Sequence, residues 1–151
     1  MNQNDENFHQ IQSVLDKALV CRLALSIGDQ PYLVPVCYGF MDSVLYFHSG
    51  PGGKKLEMLA KNPQVCFEFE ADVEVLPNLT PCQFSMRYRS LIGYGQAVLV
   101  EDTVEKRTGL DAIIRQYGGV PGDYGDAALA GVKVYAVRID SVTYKQHNIE
   151  E

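Results

Sequence analysis

The sequence predicts a mainly β protein, a small antiparallel barrel of six strands with helices at its periphery. Strand-like segments follow one another directly, which favours an antiparallel sheet over the strand-helix alternation of parallel sheets. The longest of these segments contains Gly93 and Gly95, where a strand can bend or bulge as a barrel requires. A chain of 151 residues can bury one substantial core without disulfides or a structural metal. We therefore expect a single domain over residues 1–151, with its core at about 20–140.

In chain order, periodicity predicts a helix, three strands and a second, short helix. Apolar residues at spacings of three and four predict an amphipathic helix over residues 7–18. A β-rich run at 20–27 and a turn containing glycine and proline predict a hairpin with the next strand, 32–41. A strand over 44–48 then leads through small and rigid residues into a helix over 54–61.

The second half of the chain adds three strands and one helix. Alternation, prolines and helix-capping residues set their bounds. The predicted bounds are a strand over 64–70, a loop over 71–82, a strand over 84–100, a helix over 103–117 with Thr103 as N-cap, an irregular segment over 118–131 and a strand over 132–139.

The strand over 32–41 is unusual because it is apolar on both alternating faces. A strand that exposes one face to water alternates polar with apolar residues, so we expect both faces of this strand to be covered. A barrel interior, a partner subunit or a flat apolar ligand would each cover it. Pro35 cannot donate to a ladder, which indicates an edge or a bulge. Its free backbone groups could face a heterocycle, or the proline could only protect the edge from aggregation.

Composition narrows the classes of partner and location. The formal net charge of −6 disfavours nucleic acid and anionic membrane surfaces as main partners. No apolar run approaches the ~20 residues that cross a bilayer, and the polar start MNQNDENFHQ predicts neither a signal peptide nor an anchor. The four cysteines form no CxxC pair, so we expect reduced thiols and a cytoplasmic protein.

The segment YFHSGPGGKKLEML predicts an anion site. A strand ends at His48 and Ser49, and a helix begins at about Gly53 with Lys54 and Lys55 in its first turn. Helix N-terminal N–H groups, a hydroxyl and two ammonium groups therefore converge, which suits a phosphate. Cations in the first turn of a helix interact unfavourably with the helix macrodipole, and a bound dianion would offset that unfavourable interaction. The alternative is a glycine turn with solvated lysines.

Arg87 and Arg89 form a second pair of positive charges. This pair could bind a phosphate, form ion pairs with surface carboxylates or be exposed to solvent without a partner. Other standard sites are missing from the sequence. There is no P-loop, no zinc-type Cys/His spacing, no GxSxG elbow and no dinucleotide fingerprint after a strand. We therefore expect neither a metal site nor a nucleoside triphosphate site.

Three segments together are typical of one known family. They are YLVPV, YFHS followed by GKKLEML, and YRSLIGYGQA, in this order and at this spacing. Residues 20–139 thereby resemble the nitroimidazole-resistance (5-nitroimidazole reductase-like) branch of the pyridoxamine 5'-phosphate oxidase-like, FMN-binding split β-barrel proteins. The basic residues that bind substrate near the C-terminus of a true pyridoxamine 5'-phosphate oxidase are missing, so we do not expect that oxidase activity.

The resemblance implies a six-stranded Greek-key split β-barrel that forms a homodimer with FMN bound between its subunits. Ser49 and residues 53–55 would hold the phosphate, and residues 34–36 would lie along the isoalloxazine ring. Arg89 and Ser90 would reach the cofactor from the neighbouring subunit. The residues that match the family's cofactor site are Val34, Pro35, Val36, His48, Ser49, Gly53, Lys54, Lys55, Arg89 and Ser90.

We accordingly expect an FMN-dependent oxidoreductase. Reduced flavin would pass hydride or electrons to a small planar acceptor such as a nitroaromatic. His48 would be the catalytic residue, donating a proton or orienting the acceptor. The alternative from another class is a flavin- or haem-binding sensor or storage protein without turnover, because a fold does not fix a function.

Overall fold

A computed structural model describes residues 7–149 of the chain. Helices surround one antiparallel sheet of seven strands. The helices are α1 (Phe8–Lys17), α2 (Lys54–Lys61), α3 (Thr103–Gln116) and α4 (Asp126–Gly131). The strands are β1 (Cys21–Ile27), β2 (Gln30–Val36), β3 (Tyr38–Met41), β4 (Val44–Ser49), β5 (Gln64–Leu76), β6 (Ser85–Leu99) and β7 (Lys133–His147). The first residues, for which no signal peptide or anchor is predicted, lie outside the described range, and the single domain over 1–151 stays a prediction.

The sheet has the strand order β2-β1-β5-β6-β7-β4-β3. Its two end strands, β2 and β3, are consecutive in the chain and joined by Cys37 alone, so the sheet curls until its ends approach each other. Within residues 7–149 no ladder joins β2 to β3, and the barrel is not closed. The predicted fold class is confirmed. The predicted count of six strands is one too low, because the segment 32–41 breaks into two strands at Cys37.

The core has two parts, one on each side of the curled sheet. The inner cluster packs α1 against the concave face through side chains such as Val14, Phe47, Phe67 and Tyr135. The outer cluster lies between α3 and strands β4 and β7. It contains Tyr46, Val100, Ala112, Ile113, Val134 and Ala136. Both faces of β4 are therefore buried over most of its length, which fixes the position of its C-terminal end.

One glycine and one tyrosine set how closely the helices approach the sheet. A Cβ added to Gly39 in β3 would lie 2.2 Å from the backbone of Ala112 in α3. The buried hydroxyl of Tyr38 lies 2.6 Å from the carbonyl oxygen of Leu15, at the end of α1, and accepts a hydrogen bond from Gln116 Nε2 at 3.0 Å. These contacts fix the β2–β3 junction between the two helix ends.

The predicted elements differ from the structure mainly at their ends. The segment 71–76, predicted as part of a loop, continues β5 through a bulge at Asp72, whose φ is +55°. Asp102, not Thr103, caps α3, since its side chain accepts the N–H of Glu105 at 2.8 Å. The segment 118–131, predicted as irregular, contains α4. In the part of the chain that the structure describes, no helix is both long and apolar enough to span a membrane.

Candidate functional site

The junction between β4 and α2 forms a candidate anion site. β4 ends at Ser49, and α2 begins at Lys54 with Gly53 as its N-cap. Gly53 has a φ of +110°, which L side chains rarely adopt, and it supplies no side chain to cap the helix. The N–H groups of Leu56 and Glu57 donate to the Gly53 carbonyl oxygen at 3.0 and 3.2 Å. The N–H groups that precede them therefore have no acceptor within the helix.

The β4–α2 corner, as we call residues Ser49 to Lys55, holds two ammonium groups, and Glu57 follows them in the first turn of α2. Lys54 Nζ lies 4.6 Å from the ring centroid of Tyr32, and Lys55 Nζ lies 5.6 Å from that of Phe47. Neither lysine forms an ion pair with any described residue. Five other basic residues do: Lys17, Arg22, Arg87, Arg89 and Arg107. Burial lowers the pKa of Lys55, because its ammonium group has lost part of its hydration.

Alternation along β4 sends neighbouring side chains to opposite faces of the sheet. Ser49 follows Phe47 on the inner face, whereas His48 follows Tyr46 on the face that packs against α3. Burial and the charge of Lys55 lower the pKa of His48 below its usual 6.5. His48 is therefore mainly the neutral imidazole at pH 7, which suits orienting an acceptor better than the expected donation of a proton. Its catalytic role stays a prediction.

Strand β2 offers a free backbone edge, because it is the last strand of the sheet on its side. Val34 and Val36 point inward and pack against the core, whereas Leu33 and Pro35 point outward. Leu33 is 61% exposed. Of the three covers expected for this strand, the barrel interior covers only the inward face in the isolated chain. A partner subunit or a flat ligand remains as the cover.

The corner contacts strand β2 through Tyr32. Tyr32, whose ring lies under Lys54, begins the apolar part of β2, three residues before Pro35. At the rise of an extended strand, Pro35 lies about 10 Å from Tyr32. Lys54 of the corner thus lies beside the strand that carries residues 34–36.

Arg89 and Ser90 lie far from the corner in the same chain. Arg89 pairs with Gln146 across the β6–β7 ladder, whereas Ser49 pairs with Lys133 on β7. From Lys133 to Gln146 is 146 − 133 = 13 residues, or about 40 Å along an extended strand. Arg89 Nη1 also binds Asp72 Oδ2 at 3.0 Å. For Arg87 and Arg89 the sequence left phosphate binding, surface ion pairs and solvation open, and the isolated chain shows ion pairs with Glu74 and Asp72. Any role of Arg89 at the corner therefore needs a second copy of the chain.

Sequence reasoning missed Lys133, which the β4–β7 ladder places directly opposite Ser49. No local pattern could have identified it, since the two residues are far apart in the chain. Only the register of the ladder brings them together.

Known proteins match the chain in both sequence and fold. Residues 8–146 match the family model described as pyridoxamine 5'-phosphate oxidase. A candidate 5-nitroimidazole antibiotic resistance protein from Bacteroides thetaiotaomicron VPI-5482 is 36% identical, with a TM-score of 0.83 over 93% of this chain and 84% of that one. The FAD and heme binding protein from Mycobacterium smegmatis is 22% identical, with a TM-score of 0.81 over 93% of this chain and 71% of that one, a likeness of fold.

A third relative matches only a segment. An uncharacterized protein from Rhizobium meliloti (strain 1021) is 36% identical over 59 residues, which are 39% of this chain and 38% of that protein. The match spans well under half of either sequence. The family model and the Bacteroides structure, by contrast, cover most of the chain. They confirm the predicted resemblance, and the chain belongs to the pyridoxamine 5'-phosphate oxidase family.

Proposed function

We propose that this chain binds a flavin, FMN, with the phosphate in the β4–α2 corner. The observation that carries the proposal is the pair of ammonium groups without carboxylate partners beside an uncapped helix N-terminus. A phosphate monoester carries about −1.5 to −2 charge at pH 7 and three acceptor oxygens. It therefore supplies the charge and the acceptors that the corner lacks. The space beside Gly53 is open, since a Cβ added to this glycine would meet no atom within 4 Å beyond its chain neighbours.

The isoalloxazine ring would lie along the edge formed by residues 34–36. Edge backbone groups of β2 can pair with the polar rim of the ring, and the outward surface of Pro35 offers it an apolar contact. The separation of about 10 Å between Tyr32 and Pro35 leaves room for the ribityl chain between ring and phosphate. One strand and one helix end would thus hold both parts of the cofactor.

We further propose oxidoreductase activity towards a small planar acceptor of the nitroaromatic type. The Bacteroides protein, a candidate 5-nitroimidazole resistance protein, supports this class of acceptor. When bound, the flavin would supply the redox chemistry. The chain would position the ring on the β2 edge, and the neutral imidazole of His48 would donate its ring N–H to the acceptor and so orient it. The four free cysteines suit the reducing cytoplasm.

The proposal includes a homodimer that covers the outer sheet face, defined here by Leu33, Ala24, Cys66 and Tyr94. These residues lie in one row across β2, β1, β5 and β6. Tyr94 is 54% exposed, and a shallow groove of about 320 Å³ runs over this face. An apolar row across four strands favours protein contact over exposure to water. In such a dimer the partner subunit's Arg89 would approach the cofactor, as the resemblance implies.

The dimer is tested by placing a charge on the outer sheet face. Tyr94→Arg should shift the sedimentation coefficient from dimer to monomer and weaken FMN binding. Val104→Arg, at a residue of α3 that is 73% exposed, is the matched control and should leave both unchanged. A wild-type chain that sediments as a monomer while holding FMN tightly would contradict the shared site.

Absorption spectroscopy tests cofactor binding most simply. After incubation with FMN and removal of free ligand, the protein should retain flavin bands. A Soret band after incubation with haem would favour the second candidate, a haem-binding protein without turnover, which the fold of the Mycobacterium smegmatis protein suggests. Consumption of NAD(P)H in the presence of a nitroaromatic then separates an enzyme from a binding protein. A protein that retains neither ligand contradicts both candidates.

A further inference from the structure

We propose that Lys133 is a third phosphate-binding residue of the β4–α2 corner, an inference that rests on the proposed flavin site. Lys133 begins β7 and is paired directly with Ser49 at the end of β4. Side chains directly opposite each other in an antiparallel ladder project from the same face, with their Cβ atoms about 4.5–5.5 Å apart. Lys133 therefore shares a face with the hydroxyl group proposed to bind the phosphate.

The next pair along the ladder identifies this face. Phe47 and Tyr135, two residues from Ser49 and Lys133, stack on the inner face with ring centroids 5.2 Å apart and planes within 3°. Lys55 Nζ lies over the same Phe47 ring. The Lys133 side chain consequently leaves the sheet on the side where α2 places Lys55.

Lys133 is also without a counter-ion. Its side chain is half-buried, and no carboxylate among the described residues forms an ion pair with it. Lys54 and Lys55 share this property. Lys133 thus adds a third basic residue to the end of the sheet that carries Lys54 and Lys55, in a chain whose net charge is −6. A phosphate dianion at this end of the sheet would be attracted by all three charges.

The consequence is a specific dependence on the terminal phosphate. Riboflavin has the same ring and ribityl chain as FMN but no phosphate. Lys133 should therefore contribute to the affinity for FMN and contribute nothing to the affinity for riboflavin. A lysine that merely supported the sheet would affect both ligands equally.

The experiment compares Lys133→Gln with Lys61→Gln in titrations with FMN and with riboflavin. Lys61 is exposed at the other end of α2, about 10 Å from Lys54, and its replacement removes the same charge. We expect Lys133→Gln to weaken FMN about 10- to 100-fold, the range for one charge-assisted hydrogen bond. Riboflavin affinity should change less than about twofold. Lys61→Gln should leave both affinities unchanged, and Lys133→Arg should retain FMN.

The other outcomes overturn the inference in distinguishable ways. Wild-type affinity for FMN in Lys133→Gln removes Lys133 from the site and leaves the flavin proposal intact. An equal loss of FMN and riboflavin, accompanied by a lower melting temperature, shows that Lys133 has a structural role. A wild-type chain that binds neither flavin overturns the proposed function and this inference with it.

Discussion

Replacing Lys54 and Lys55 together by alanine should separate cofactor binding from folding. Each lysine that makes a charge-assisted hydrogen bond to the phosphate contributes about 1.5–3 kcal/mol. Loss of both should therefore weaken FMN binding by about 3–6 kcal/mol, or about 10²- to 10⁴-fold in Kd. The assay is quenching of FMN fluorescence at fixed ionic strength. The control for net charge is Lys61→Ala together with Arg115→Ala, which also removes two exposed positive charges.

The effect of the same replacement on stability should be small, for reasons visible in the structure. Both lysines stand in the first turn of α2, where removing a cation relieves its opposition to the helix dipole by about 0.3–1 kcal/mol. Their contacts with the rings of Tyr32 and Phe47, at 4.6 and 5.6 Å, are lost. Such contacts contribute about 0.5–1 kcal/mol each at exposed sites. The two effects largely cancel, so the free energy of unfolding without ligand should change by less than about 1 kcal/mol.

Unchanged FMN affinity in the double variant would refute this reasoning, because it would show that the two ammonium groups are solvated and unrelated to the cofactor. A large loss of stability without ligand would refute it differently. It would show that the lysines are structural residues of the α2 N-terminus.

Three further predictions concern the fold and pH. Gly39→Ala should destabilise the protein by more than about 3 kcal/mol in chemical denaturation, since a Cβ there would meet the α3 backbone at 2.2 Å, whereas Gly122→Ala, in open space, should have little effect. Tyr38→Phe should lower the free energy of unfolding by about 1–2 kcal/mol, because it removes a buried hydroxyl that hydrogen-bonds to the carbonyl oxygens of Leu15 and Ala18 at the end of α1. A wild-type melting temperature would contradict this. The pKa of His48 in the folded chain lies below 6.5, so the unfolded chain binds more protons at this residue and the free energy of unfolding should fall as the pH drops below 6.5. His48→Gln should make the free energy of unfolding depend less steeply on pH. Equal slopes for the two proteins would contradict this.

The sequence predicts α1, α2, α3 and most strands well, because these depend on local patterns. The predicted helix over 54–61 coincides with α2, since a glycine turn and a following proline bound it on both sides. The predicted bend at Gly93 and Gly95 is confirmed by the shift of register between Tyr94 and Gly95 in the β6–β7 ladder. Segments of this kind carry their own start and stop signals.

The errors arise where tertiary contacts decide the conformation. Asp72 adopts a positive φ in the middle of β5, in a bulge without glycine, while its carboxylate binds Lys17 and Arg89 from other elements. The strand end at Cys37 similarly follows from the curling of the whole sheet. Neither event has a signal in neighbouring residues.

The candidate site shows the same division. Ser49 and residues 53–55 come together because they are neighbours in sequence, so a motif could predict them. Lys133 enters through the register of β4 with β7, and the free edge at Pro35 through the strand order. Ile92 and Tyr94 lie on the same face of β6, but the sequence does not show whether that face is the inner or the outer one. In the isolated chain both side chains are exposed.

A crystal structure of the chain grown with FMN tests the central claim most directly. We predict phosphate oxygens at about 2.7–3.2 Å from Ser49 Oγ and from the N–H groups of the first turn of α2. The isoalloxazine ring should lie along residues 34–36. A phosphate bound elsewhere, with Lys54 and Lys55 extended into solvent, would contradict the account.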